Sequence, residues 1–165
     1  MDATSKAIAT ASSNQEKARG WLTLTQQAQQ LAEHMRQIFP DTTIQGDKIS
    51  PKEAQVISER ASLYGVRVGF CEPSGSWFSD NQGYVKYLEL WLDGPQADEA
   101  TWMGPLDHGA FCGDSEGDPE EARAVIEKNK QFLTKFPNSK FAPDAQKEIA
   151  ESKQYLEALE KQNKK

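Results

Sequence analysis

An internal repeat is the feature of this sequence that most constrains its fold. Residues 87–100 and 132–145 align without a gap at an offset of 45 residues. Both segments fit the pattern aromatic-Leu-x-x-aromatic-x-x-small-x-x-Ala-x-x-Ala. Self-similarity at a period of about 20–50 residues is typical of proteins that use one supersecondary unit several times. The repeat therefore predicts two copies of the same local structure.

The spacing inside each copy predicts a helix–turn–helix. The two aromatic side chains are four residues apart, which places them on one face of a helix. The small residue after them ends that helix or caps the next one, and the alanines let the second helix pack closely against the first. We expect the following side chains to be mostly buried at helix–helix contacts: Tyr87, Leu88, Trp91, Ala100, Phe132, Leu133, Phe136 and Ala145.

The segments before the repeat predict two further helices and one short β-hairpin. Apolar residues recur at steps of three and four from Trp21 to Ile38, which is a helical period. Pro51, with an acidic residue two positions later, predicts the start of another helix. Alternating apolar residues around a Glu-Pro-Ser-Gly turn predict a β-hairpin at 66–79. The sequence thus predicts an all-α fold of helical hairpins with flanking helices and one short β-hairpin.

Composition predicts how the chain is divided. Residues 1–20 are rich in Ala, Ser, Thr and Asn. They contain too few apolar side chains to offset the conformational entropy that the segment would lose on becoming ordered. We therefore expect a flexible lead over 1–20 and a single helical domain over 21–165. Within that domain, the glycine-rich segment 104–118 separates the two copies of the repeat and predicts a long loop.

Charge and hydropathy exclude several functional classes. The formal net charge is -6 and the pI is about 5.0, which disfavours nucleic acid as a partner because binding to a polyanion depends on lysine and arginine. No stretch approaches the roughly 20 apolar residues of a membrane span. No glycine-rich phosphate-binding motif is present, and the acidic run after Asp114 lacks the spacing of a calcium loop. We therefore expect no cofactor.

The second copy of the repeat resembles a known class of protein. Residues 132–145 read Phe-Leu-x-x-Phe-Pro-Asn-Ser-x-x-Ala-Pro-x-Ala. This segment resembles the tetratricopeptide (TPR) repeats of bacterial cell-envelope proteins, such as the coordinator of the Tol–Pal system and the TPR lipoprotein of the barrel-assembly machinery. The spacing of 45 residues, against 34 in a regular TPR, predicts a compact pair of hairpins rather than a regular superhelix. An ordinary helical bundle with coincidental spacing is the alternative.

The resemblance implies function as well as fold. It predicts a non-enzymatic scaffold that binds another, unidentified protein, located in the periplasm or elsewhere outside the cytoplasm, with a cytoplasmic protein as the alternative. Self-association is a further expectation, since the apolar stripes at 21–38 and 145–159 could form helix seams in a purely structural oligomer.

Two cysteines leave a second functional class open. Cys71 and Cys112 are the only cysteines, and His108 lies four residues before Cys112. Because the resembled families work in an oxidising compartment, we expect a disulfide between the two cysteines. Buried free thiols are one alternative. A small thiol- or metal-dependent enzyme or metal-binding protein built on these three residues is the other, although zinc sites normally use three or four protein ligands.

Four aromatic residues outside the helical stripes are the predicted partner-binding residues. These residues are Trp77, Phe78, Trp102 and Phe111. Exposed aromatic side chains are common binding hot spots, and long loops on a helical frame are often functional. The alternative is that these side chains fold inward and cover the β-hairpin as part of the core.

Overall fold

Seven helices and one two-stranded sheet make up the described part of the chain, residues 1–38, 51–71, 76–104 and 119–163 of a computed structural model. The elements are α1 (Asp2–Thr10), α2 (Asn14–Ile38), α3 (Pro51–Ser62), β1 (Val68–Cys71), β2 (Ser76–Ser79), α4 (Gln82–Leu90), α5 (Ala97–Met103), α6 (Pro119–Lys135) and α7 (Ala142–Asn163). The predicted all-α fold with one short β-hairpin is confirmed. The chain forms two compact units, Met1–Gly113 and Asp114–Lys165.

The first twenty residues differ from the prediction of a flexible lead, because the structure gives them helical backbone in α1 and the start of α2. A capping box begins α2: the Ser13 hydroxyl accepts from the Glu16 N–H, and the Glu16 carboxylate accepts from the Ser13 N–H, both at 3.2 Å. Hydrogen bonds from the Ser12 hydroxyl and from the Ser12 and Ser13 amides hold the pKa of Glu16 below its usual value. Ile8 of α1 packs on α2 at Gly20. These contacts are not visible in residue composition.

Helix α2 is the central element of the first unit, and it buries two sets of side chains. The first set joins α2 to α3 and the β-hairpin, and it consists of Leu24, Ala28, Ala32, Met35, Ala61, Val66, Val68 and Trp77. The second set joins α2 to α4 and α5, and it consists of Ala18, Leu22, Tyr84, Tyr87 and Ala100. Because α2 contributes side chains to both sets, it connects the β-hairpin to the first copy of the repeat.

The β-hairpin is antiparallel, with Phe70 opposite Trp77 and Gly69 opposite Phe78. Side chains from two helices fix its position. The Arg36 Nε of α2 donates to the Trp77 carbonyl at 2.9 Å, and the Ser58 hydroxyl of α3 donates to the Val68 carbonyl at 2.7 Å. The hairpin is therefore bonded to the helices through its backbone as well as packed on them.

The two copies of the repeat are helical hairpins of different lengths. In the first copy α4 has 9 residues and α5 has 7, whereas in the second α6 has 17 and α7 has 22. Helix α7 begins at Ala142, and the segment around Ser139 forms the turn before it. Among the described helices, none is both long enough and apolar enough to cross a bilayer. The single-domain boundary at 21–165 stays a prediction.

Candidate protein-binding site

Three of the predicted partner-binding residues are buried, so the prediction that they are exposed is wrong. Trp77 is completely buried against α2, and its ring centroid lies 5.6 Å from that of Phe70. Phe78 lies against Gly69 across the hairpin, and Trp102 is buried in α5. All three side chains therefore belong to the buried core of the first unit. Phe111 lies outside the described residues.

The cysteine-based predictions also fall mainly outside the described part of the chain. His108 and Cys112 are not among the described residues, and of Cys71 only its backbone position in β1 is described. The disulfide therefore stays a prediction. Across residues 1–38, 51–71, 76–104 and 119–163, no three His, Cys, Asp or Glu side chains are grouped so that they could hold a metal ion.

The turns of the two hairpins share the same backbone hydrogen bonds at an offset of 45 residues. In the first turn the donors and acceptors are Trp91 N to Tyr87 O, Gly94 N to Trp91 O, Ala97 N to Gly94 O and Ala100 N to Gln96 O, at 2.8, 3.2, 2.9 and 2.9 Å. In the second they are Phe136 N to Phe132 O, Ser139 N to Phe136 O, Ala142 N to Ser139 O and Ala145 N to Phe141 O, at 2.8, 3.1, 3.0 and 3.0 Å. The internal repeat is thus a repeat of backbone structure.

The side chains of the two turns correspond as well. The aromatic pairs have centroid separations of 6.1 Å for Tyr87 with Trp91 and 5.5 Å for Phe132 with Phe136. Of the eight residues predicted to be core, the following are buried: Tyr87, Ala100, Phe132 and Ala145. The other four, Leu88, Trp91, Leu133 and Phe136, are partly buried. The predicted helix–turn–helix core is confirmed.

One difference between the turns explains why glycine is needed in the first. The Tyr87 hydroxyl accepts from the Gln96 N–H at 3.1 Å and lies 3.2 Å from the Gln96 side-chain oxygen. A Cβ on Gly94 would lie only 2.1 Å from that hydroxyl. In the second turn, Phe132 has no hydroxyl, and Ser139 occupies the position of the glycine. The residue at the turn is therefore matched to the aromatic residue seven positions before it.

We expect Gly94→Ser to destabilise the first unit by about 1–3 kcal/mol through overpacking. Adding Tyr87→Phe and Trp91→Phe copies the side chains of the second turn and should restore part of the loss. Urea unfolding of the single, double and triple variants measures the coupling, with the Tyr87→Phe, Trp91→Phe double variant as the reference. Purely additive losses would contradict the matching of these side chains.

Tyr84 links the first hairpin to α2. Burial raises the pKa of its phenol, and hydrogen bonds join the hydroxyl to Gln29 of α2 and Glu99 of α5. Gly83, the preceding residue, lies close to α2, because a Cβ there would be 2.6 Å from the Trp21 carbonyl oxygen. The first hairpin is therefore held on α2 by direct contact, which gives it a fixed surface.

A groove between the end of α2 and the start of α3 is a candidate binding site that the sequence did not predict. We call it the α2–α3 groove, and its described lining residues are Met35, Ile38, Lys52, Glu53, Val56 and Ile57. It has a volume of about 460 Å³ and is open to solvent. Ile38 is 52% exposed and Val56 is 48% exposed, so two large apolar side chains lie at the surface here. Exposed apolar side chains that adjoin one another are typical of interaction sites.

The sequence contains a partial signal for this groove. Ile38 is the last residue of the apolar stripe of α2. Val56 lies beside the stripe of α3 rather than in it, since the stripe passes through Ile57 and Ala61. An apolar residue next to a stripe widens the apolar face of a helix. Only the packing of α2 and α3 shows that the two residues lie at one groove.

The comparisons with known proteins concern the two hairpins above all. Comparison with curated proteins and with solved structures gave no match. Residues 79–162, just over half of the chain, match a family described as YfiO, outer membrane lipoprotein. The match begins at the end of β2 and extends through α4, α5, α6 and nearly all of α7, which confirms the resemblance to TPR-like envelope proteins. The chain therefore belongs to the YfiO family of outer membrane lipoproteins.

Proposed function

We propose that this chain is a protein-binding scaffold of the bacterial cell envelope that acts on the periplasmic side. The observation that carries the proposal is the pair of helical hairpins with equivalent turns inside the region that matches the outer membrane lipoprotein family. Membership of that family supports a location outside the cytoplasm. Helical-hairpin repeats provide surfaces on which segments of other proteins bind.

The packing of the first unit supports a scaffold role. Its β-hairpin and first helical hairpin are both fixed on α2, by the Arg36 and Ser58 hydrogen bonds and by the close contact at Gly83. Such a frame can present exposed apolar side chains without rearranging, and a preorganised surface loses less conformational entropy on binding. The α2–α3 groove, with Ile38 and Val56 exposed, is the proposed contact site for the partner.

Photo-crosslinking in intact bacteria tests this function. A photoreactive amino acid is placed at Val56 in the groove and, as the matched control, at Glu59, which is exposed on the same helix but does not line the groove. We expect a discrete crosslinked species from Val56 that contains an envelope protein, and much less from Glu59. Mass spectrometry identifies the partner, and protease digestion after permeabilising the outer membrane reports the location. Equal crosslinking from both positions, or crosslinks to cytoplasmic proteins alone, would contradict the proposal.

A further inference from the structure

The charges of the second unit are divided between the two ends of its helical hairpin. Residues 128–147 carry five lysines and one acidic residue, a net charge of +4, and we call this end the basic turn. The other described residues of the unit, 119–127 and 148–163, carry three basic and seven acidic residues, a net charge of -4. The described hairpin as a whole is therefore neutral, but its turn and its open end have opposite charge.

The packing of α6 on α7 places the lysines at one end. The Asn129 side-chain amide of α6 donates to the Glu148 carboxylate of α7 at 2.9 Å, so these two residues lie at the same level of the hairpin. Residues 128–147 lie at that level or on its turn side, within about 10 Å of the turn along the helix axes. All of their lysines are exposed, namely Lys128, Lys130, Lys135, Lys140 and Lys147.

The ion pairs at the edge of the basic turn neutralise little of its charge. Lys130 lies 4.0 Å from Glu127, and Lys147 lies 3.7 Å from Glu151. All four side chains are more than half exposed. Exposed pairs of this kind are weak and are screened by salt. The two lysines therefore still contribute to a positive potential at this end of the hairpin.

Two lysines beside the turn are held on aromatic rings. The Lys135 Nζ lies 5.1 Å from the ring centroid of Phe136, and the Lys140 Nζ lies 4.8 Å from that of Phe141. A cation–π contact restricts the side chain but leaves its positive charge in place. Less conformational entropy is then lost when an anionic group binds between these lysines.

We infer that the basic turn binds an acidic segment of the partner protein. This inference rests on the proposed scaffold function and adds to it a second contact surface with a stated chemistry. Salt screens charge interactions over about 10 Å at 0.1 M. Apart from Asp144, the acidic residues of the hairpin lie about 10 Å or more from the turn along the helix axes. An acidic segment at the turn is therefore attracted, although the whole chain has a net charge of -6.

The surroundings of the lysines favour a protein segment over a lipid surface. Basic surfaces that bind membranes usually also insert large apolar side chains between the lipids. The exposed large hydrophobic residues of the described chain are Ile38, Val56, Leu63 and Leu92, and all of them lie in the first unit. Phe136 is half-buried in the hairpin rather than extended from it. The basic turn thus offers charge without an apolar anchor.

Fluorescence anisotropy of an acidic peptide tests the inference on the full-length chain. The probe is a labelled peptide of alternating Glu and Gly, about 12 residues and 40 Å long when extended, so that it can cross the turn. The control peptide has Gln in place of Glu. We expect saturable binding of the acidic peptide, at least tenfold weaker binding of the control, and a loss of affinity between about 50 and 300 mM NaCl.

Paired variants with matched chemistry test the location of binding. Lys135→Gln with Lys140→Gln removes two charges beside the turn and should weaken peptide binding at least tenfold. Lys153→Gln with Lys161→Gln removes two exposed charges from the open end of α7 and should change binding by less than twofold. Arginine at positions 135 and 140 keeps the charge and should keep the binding. Equal loss in both glutamine variants would overturn the assignment to the basic turn.

A second pair separates binding from stability. Lys128→Gln with Lys147→Gln removes two exposed charges of the basic turn and none of the described ring contacts. We expect this pair to weaken the peptide at least fivefold with an unfolding curve that matches the wild type. Unchanged binding in this pair, with a loss only in variants that unfold more easily, would reduce the lysines beside the turn to a structural role and reject the inference.

Three further results would overturn the inference, and they are distinct from a failure of the scaffold function. Binding to phosphatidylglycerol vesicles but not to the peptide, with phosphatidylcholine vesicles as the control, would indicate a lipid headgroup as the occupant. Equal binding of the two peptides would exclude charge as the basis of recognition. Crosslinking from Val56 to an envelope protein together with no peptide binding would leave the scaffold function standing and reject the acidic segment.

Discussion

Alanine at position 83 is expected to destabilise the first unit by about 3 kcal/mol, although alanine is normally the better helix former by about 1 kcal/mol. A Cβ on Gly83 would lie 1.7 Å from the Thr25 hydroxyl and 2.6 Å from the Trp21 carbonyl oxygen. The threonine is completely buried, and the carbonyl belongs to the backbone of α2, so neither atom can move away easily. The helices α2 and α4 would have to separate, which opens the core that contains Tyr84 and Tyr87.

Tryptophan fluorescence during urea unfolding measures this effect, because all four tryptophans lie in Met1–Gly113. Gln82→Ala, an exposed change on the same helix, is the control and should shift the free energy of unfolding by less than about 0.5 kcal/mol. Adding Thr25→Ala to Gly83→Ala should recover only part of the loss, because the contact with the backbone remains. A Gly83→Ala variant as stable as the wild type would show that the two helices do not approach as closely as described.

Truncation of Phe132 to alanine is expected to destabilise the second unit by about 3–5 kcal/mol. Phe132 is buried between α6 and α7, and its ring lies 5.5 Å from that of Phe136. The second hairpin has few fully buried side chains, so the loss of a large one removes much of its core. Besides Phe132, its described buried residues are Asn129, Ala142 and Ala145. A loss of this size is a large fraction of the 5–15 kcal/mol by which native proteins are usually stable.

Hydrogen exchange followed by mass spectrometry measures this loss locally, through peptides from α6 and α7. Faster exchange is expected throughout both helices in Phe132→Ala. Gln131→Ala, at the exposed neighbouring position, should leave exchange close to that of the wild type. If Phe132→Ala left the exchange of α7 unchanged, the two helices would not be held together by this aromatic residue.

Local sequence signals predicted most of the helices and the repeat. The period of the apolar residues predicted α2, and the proline-containing start predicted α3 at the position where the helix begins. The equivalence of the two turns was also predictable, because a β-turn between helices depends on neighbouring residues and small side chains. These features depend on interactions over a few residues, which a single sequence displays directly.

The candidate site was predicted less well. The partner-binding prediction for Trp77, Phe78 and Trp102 rested on their absence from a helical stripe, which indicates only that they do not lie on a helix face with the usual period. In the β-hairpin, the face that holds Trp77 is covered by α2, a helix more than 35 residues earlier in the chain. Contacts over such sequence distances are not encoded in local periodicity.

By itself the sequence determined the helical-hairpin repeat, since aromatic residues four apart, a small turn residue and spaced alanines are sufficient for two short-range turns of one type. Only the tertiary structure decided which apolar residues face solvent. The packing of α2 buries Trp77 and leaves Ile38 at the edge of a groove, although both are large apolar residues. The physical reason is that the burial of a side chain depends on the element packed over it, whereas the sequence pattern reports only the face on which the side chain lies.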